Sequence, residues 1–187
     1  MSKVHYLTTP LTDEAVASVK SGDIVYLTVT VFTARDAAHT RLVALLDEKK
    51  ELPFDIKGAV IYYVGPTPEK PGEVIGSAGP TTSYRMDLYA PRLLDIGLKG
   101  MIGKGSRNKK VKGSMLKNKG IYLAAIGGAA ALIAKSIKES KIIAYEDLGP
   151  EAVRQLRVEN FQTIVVNDIY GEDAYEDGIN RYSKEKR

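Results

Sequence analysis

Residues 24–39 read IVYLTVTVFTARDAAH. The first nine, Ile24 to Phe32, are dense in β-branched and aromatic residues and predict a strand. The run is nearly continuous in apolar residues and threonine, which suits a central strand rather than an edge. Thr33-Ala34-Arg35-Asp36 follows. Ala38, Leu42, Leu45 and Leu46 then lay an apolar stripe at helical spacing over about Ala37 to Glu48. Arg35 is thereby expected at the end of a strand and the start of a helix.

The same alternation continues outward. Residues 7–20 predict a short amphipathic element that Thr12 caps, with Asp13 and Glu14 in its first turn. Lys57 to Val64 and Ile121 to Ile126 predict strands, and Glu73 to Ile75 a short one. Arg85 to Leu94 predicts a helix that Pro91 breaks or kinks. Gly127-Gly128 turns the chain into a helix over Ala129 to Glu139. Ser140 to Tyr145 and Thr163 to Asn167 are further strands. Between them Pro150 to Leu156 reads as a short helix with proline in its first turn. Residues 178–187 read as a frayed polar tail. Strands alternating with short helices give an α/β or β/β/α fold over residues 1–187 as one domain.

The 187 residues contain no cysteine and two histidines, His5 and His39. This chain alone cannot supply a disulfide, a thiolate metal site or a cysteine nucleophile. Its chemistry must use Lys, Arg, Thr, Ser, Asp or Glu, or groups from a partner. The N-terminus lacks an apolar signal core, and the Gly/Ala-rich run 121–134 is too short to span a bilayer. A cytoplasmic location is expected. The net charge of +4 is unevenly placed, with no Asp or Glu between Ile96 and Lys138. That basic segment reads either as a site for an anionic ligand or partner, or as a solvated loop balanced by acids elsewhere.

Three segments could carry chemistry. In TARDAAH (33–39), Arg35 presents a planar fork suited to a carboxylate, Asp36 can cap the helix or hold the arginine, and His39 lies one turn on. In GSAGPTTSYRMD (76–87), Thr81 or Thr82 can cap a helix start. Glycines, two threonines and Arg85 together also suit a carboxylate-binding nest. In MIGKG (101–105), Lys104 stands between glycines that let its backbone be closely approached. Neither glycine-rich segment has the spacing of a phosphate-binding loop or a dinucleotide fingerprint. Two arginines, a lysine and paired threonines suit a small polycarboxylate, yet no strong base stands beside them.

These segments resemble the β subunit of two-subunit class I, iron–sulfur-dependent fumarate hydratases, and the related L-tartrate dehydratase β subunit. YLAAIGGAAALIAKSIK (122–138) and YEDLGPEAVRQLRVENF (145–161) extend the likeness over most of the chain in family order. Ala34 stands where the family usually has glycine. The resemblance implies a compact swivelling β/β/α domain. It also implies an α-subunit partner whose three cysteines bind a [4Fe-4S] cluster, in a heterotetramer of two α and two β chains. The implied reaction is reversible hydration of fumarate to L-malate, or alternatively dehydration of tartrate to oxaloacetate. Arg35, Arg85 and Lys104 match substrate-carboxylate positions. Thr81 matches the threonine proposed to abstract the proton, with Thr82 beside it. Asp36 and His39 take supporting roles, and no metal ligand is expected in this chain. A purely structural subunit, or a nucleic-acid-binding module on 99–119, are the readings of another class. The basic run carries no interleaved aromatic residue that would favour the latter.

Overall fold

The computed structural model describes residues 2–183. Seven strands form one sheet: β1 (Val4–Thr8), β2 (Ile24–Thr33), β3 (Val60–Tyr62), β4 (Gly100–Gly103), β5 (Ile121–Ala124), β6 (Ile137–Ala144) and β7 (Val153–Asn167). Six helices accompany them: α1 (Asp13–Ala17), α2 (Asp36–Asp47), α3 (Ala90–Leu94), α4 (Lys109–Asn118), α5 (Ala130–Ser136) and α6 (Ala174–Ser183). The class is mixed α/β, as the alternation of strand and helix patterns implies.

The pairing closes on itself. β2, β3, β4 and β5 run parallel in that order. β7 is antiparallel to β5 on one side and to β2 on the other. These five strands therefore make a ring, which leaves β2 and β7 without a free edge along most of their length. β1 extends the sheet alongside β2, and β6 alongside β7. Strand side chains alternate between the two faces. Tyr62, Ile102 and Leu123 face the inner core with Val25, Leu27, Val158 and Phe161. Ile61, Tyr63, Met101 and Tyr122 face an outer core that also takes Leu42 from α2, Leu93 from α3 and Met115 from α4.

Local chemistry explains most boundaries. Thr12 Oγ1 accepts from Ala15 N at 3.1 Å and starts α1. Asn108 Oδ1 accepts from Val111 N at 2.9 Å and starts α4. The basic run, with no definite structure in the sequence, thus folds as a helix that buries Val111 and Met115.

Several expectations are corrected. Val4–Thr8 is a strand, which no expectation above includes. The strand expected over 57–64 is regular only at 60–62, and 73–75 is not a strand. The helix expected over 85–94 divides into a 3-10 turn, Ser83–Met86, and α3, where Pro91 sits in the first turn instead of breaking it. α5 ends at Ser136, because Ile137 to Glu139 already pair with β7. Pro150 to Leu156 is not a helix. A 3-10 turn, Glu146–Glu151, ends there, and Ala152 at ψ 148° leads the chain into β7. The tail expected from 178 is helical as far as Ser183, within α6, and residues 184–187 lie outside the described residues.

Candidate active site

Arg35 and Lys104 leave the C-terminal ends of the parallel strands β2 and β4, and Thr81, Thr82 and Arg85 come from the long connection between β3 and β4. Arg35 follows β2, Gly65 follows β3 and Lys104 follows β4 directly. Arg35 is extended, at φ −120° and ψ −162°, and opens α2. Its carbonyl accepts from His39 N at 2.8 Å and from His39 Nδ1 at 2.9 Å. Its guanidinium passes across Gly65, where a Cβ would stand 2.7 Å from Nη1. Only glycine leaves that path open.

Asp36 joins the two arginines. Its Oδ1 accepts from Arg85 Nε at 2.9 Å, and its Oδ2 stands 2.8 Å from Arg85 Nη2. Arg35 Nε is 3.8 Å from the same Oδ2. Arg35 Nε is buried and has no hydrogen-bond partner among the described residues. Arg85 remains 41% exposed at the side chain, against 21% for Arg35, so the second fork faces outward while the first is recessed.

Thr81, Thr82 and Lys104 meet through backbone. Thr81 N donates to Tyr63 O at 2.7 Å, and Lys104 N donates to Thr81 O at 3.2 Å. Ser83 N donates to Lys104 O at 2.8 Å, and Thr82 bridges Lys104 in parallel. This short ladder prolongs the sheet past the end of β4. Thr82 occupies the cap position of the 3-10 turn but makes no side-chain cap bond, which corrects the expectation that a threonine hydroxyl is spent on capping. The glycines around Lys104 have distinct reasons. A Cβ on Gly103 would collide with Ser83 Oγ, and Gly105 is at φ 76°. Tyr122 OH donates to Gly105 O at 2.7 Å and stands 2.9 Å from Ser83 Oγ, fixing the far side of the loop. The Lys104 side chain itself is exposed.

His39 is fully buried, edge-on to Tyr63 with ring centroids 5.3 Å apart. Burial lowers its pKa to about 4, a tendency Arg107 reinforces against the opposing pulls of the Arg35 carbonyl and Asp36. The ring is therefore neutral at neutral pH, with Nδ1–H given to the Arg35 carbonyl. His39 acts here on the backbone of Arg35.

Arg107 and Glu151 take part without a local signal in the sequence. Arg107, in the sequence one more cation of the basic run, has a fully buried side chain. Its guanidinium lies between the rings of Tyr63 and Tyr122, at 5.3 and 5.2 Å from their centroids. Arg107 Nε donates to Asp87 Oδ1 at 2.6 Å, while Asn108 N donates to Asp87 Oδ2 at 2.8 Å. Burial opposes the charge on Arg107, but Tyr63 and Asp87 outweigh it and hold its pKa above the usual guanidinium value. Glu151 stands 3.4 Å from Arg35 Nη2. No local signal marks it, because it reaches Arg35 only through the fold.

The basic run is largely neutralised at home. Lys99 and Lys119 pair with Asp13, Lys112 with Asp173 and Glu176, and Lys117 with Asp95. The site residues themselves suit an anion. The chain has no cysteine, and no group of three or more His, Cys, Asp or Glu that could hold a metal occurs among the described residues. They do not fit the ligand set of an iron–sulfur cluster. No helix among the described residues is long and apolar enough to cross a membrane.

Residues 2–178 match the family model described as Fumarase C-terminus. The chain is 37% identical over 189 residues to a protein of Methanocaldococcus jannaschii described as L(+)-tartrate dehydratase subunit beta, covering 98% of this chain and 96% of that one. It is 41% identical over 157 residues to the anaerobic class I fumarate hydratase of Escherichia coli, covering 83% of this chain but 29% of the relative. The likeness to fumarate hydratase 2 of Leishmania major is 40% over 156 residues, covering 82% and 28%. The chain thus spans nearly all of the first relative and under a third of the other two. With a match over almost its whole length, the chain belongs to the Fumarase C-terminus family.

Proposed function

We propose that this chain is the β subunit of a two-subunit hydro-lyase that interconverts fumarate and L-malate. The observation that carries the reading is that Asp36 joins Arg35 to Arg85, and backbone pairing joins Thr81 and Thr82 to Lys104, past the ends of β2 and β4 in a chain without a thiol. The arginine forks bind substrate carboxylates through paired charge-assisted bonds. Loss of the malate C3 proton builds negative charge on the neighbouring carboxylate. Cations already aimed at that group stabilise the transition state more than the ground state. Thr81 Oγ1 is the atom of this chain assigned to take that proton. An ordinary hydroxyl is a poor base, so the role requires positive surroundings, and Lys104 on the same ladder supplies part of them. Asp36 holds Arg85, and His39 holds the Arg35 backbone.

The [4Fe-4S] cluster and its cysteines belong, in this reading, to an α subunit, as does departure of the substrate hydroxyl. Exposed apolar side chains support a partner. Tyr84 and Leu88, 66% and 77% exposed, flank Arg85, and Ile126 and Leu132 lie beside the Gly127-Gly128 turn. Two copies of each chain is the proposed stoichiometry, and the cytoplasm the proposed location.

A second reading, dehydration of L-tartrate to oxaloacetate, is favoured by one observation. A relative that this chain covers over 96% of its length carries the tartrate dehydratase description. Anaerobic co-expression with the cysteine-bearing subunit, followed by assays on fumarate, L-malate and L-tartrate, tests both. Turnover of fumarate by the complex and by neither chain alone is expected. A preference for tartrate by orders of magnitude selects the second reading, and inactivity of the complex on all three contradicts both.

A further inference from the structure

Arg35 needs more than its own helix to hold its fork in place. Its long side chain is held on three sides. Gly65 leaves it passage, Asp36 lies near Nε, and Glu151 closes the remaining side. Glu151 is itself built in. Its Oε2 accepts from Ala37 N at 3.1 Å, which satisfies a free donor in the first turn of α2. Its Oε1 stands 3.4 Å from Arg35 Nη2. One carboxylate thus addresses both the helix that begins at Arg35 and the guanidinium that leaves it.

The turn that presents Glu151 is pinned to α2. Arg41 reaches Asp147 through two bonds, the Nη1 bond at 2.8 Å, and its guanidinium lies 5.1 Å from the centre of the Tyr145 ring. On the other side, Thr33 Oγ1 donates to Ala152 O at 3.2 Å and accepts from Arg154 N at 2.9 Å. The end of β2 and the start of β7 are therefore tied together around the residue that pairs with Arg35.

We propose that Glu151 is a positioning residue. It orients the Arg35 guanidinium before substrate arrives, so that less ordering remains to be done on binding. Glu151 acts only through Arg35. This inference rests on the hydro-lyase reading above.

A double-mutant cycle in the assembled complex tests it, with wild type, E151Q, R35A and the double variant assayed on whichever of fumarate, L-malate and L-tartrate the wild type turns over. Gln keeps an oxygen to accept from Ala37 N, so E151Q is expected to melt with the wild type. In the wild-type background, E151Q is expected to lower kcat/KM about tenfold, mainly through KM. In the R35A background the same change is expected to cost less than about twofold. An equal loss in both backgrounds shows a general structural role and overturns the proposal, as does no loss in the wild type. If E151Q does not assemble, Glu151→Asp, which withdraws the carboxylate from Nη2, carries the same cycle with the same outcomes. A wild-type complex inactive on all three substrates is a different failure. It overturns the hydro-lyase reading and this inference with it.

Discussion

His39 shows at the residue scale how a site can depend on a group that never meets the substrate. In the sequence it is one of two histidines, stands one turn after Arg35 and reads as a supporting residue. In the fold it is sealed among aromatic rings, and its proton serves the Arg35 carbonyl. The pH consequence follows from its pKa, about 4 in the folded chain against 6.5 when free. Between those values the unfolded chain binds a proton that the folded chain refuses. The His39 contribution to stability is therefore full above about pH 6.5 and falls as pH drops toward 4, by roughly 3 kcal/mol in total. Denaturant unfolding of wild type and His39→Gln at pH 7 and pH 4.5 checks this. The variant should lose most of the acid-side slope, and an unchanged slope would place its origin elsewhere. Arg35, Arg85, Lys104 and the threonines were legible as candidates because each stands in a short segment of distinctive composition, although Asp36 reaches Arg85, and Thr81 reaches Lys104, only through the fold. Arg107 was not, since its partners Tyr63, Asp87 and Tyr122 come from three other segments. Nothing in a run of cations says which one is buried.

At the scale of elements, β2 and α2 were legible because each carries its own pattern: a continuous β-branched run, then a stripe at helical spacing. β7 was not. Gly149-Pro150 imitates a helix start, and only pairing with β2 and β6 makes the following residues extended, so tertiary contact overrides the local signal. α4 escaped because its buried face is thin, with Val111 and Met115 among lysines. β2 also contains a defect that its composition conceals. Its register with β7 shifts between Leu27 and Val29, and Val29 sits at φ 94°. A β-branched residue pays a strain of about 1–3 kcal/mol for such a backbone. Val29 is 43% exposed, so little packing is lost with its side chain. Val29→Gly is therefore expected to stabilise the chain by about 1 kcal/mol after the added flexibility of glycine is counted. A thermal melt reads the effect, and a lower midpoint would mean that the side chain contributes more than the bulge costs.

At the scale of the whole molecule, closure of β2, β3, β4, β5 and β7 into a ring holds the parallel strand ends in register. The ends of β2 and β4 carry Arg35 and Lys104, and the backbone bonds of Thr81 with Tyr63 and Lys104 bring the β3–β4 connection to them. The ring was not legible, because it depends on long-range pairing of β7 with two strands at once. The lack of cysteine, by contrast, was plain in the sequence, and it gains weight here. The cationic groups suit carboxylates, whereas the cluster that the family reading requires has no ligands in this chain. In the proposed function Arg35 and Arg85 grip substrate carboxylates in a site that a partner completes. The most direct test of that grip is the inhibition constant of succinate, an unreactive dicarboxylate of substrate length, measured on complexes carrying wild type, Arg35→Gln or Arg85→Gln. Each substitution is expected to raise that constant about tenfold or more while the complex still assembles. Constants within about twofold of wild type for both variants would show that the arginines do not hold the carboxylates.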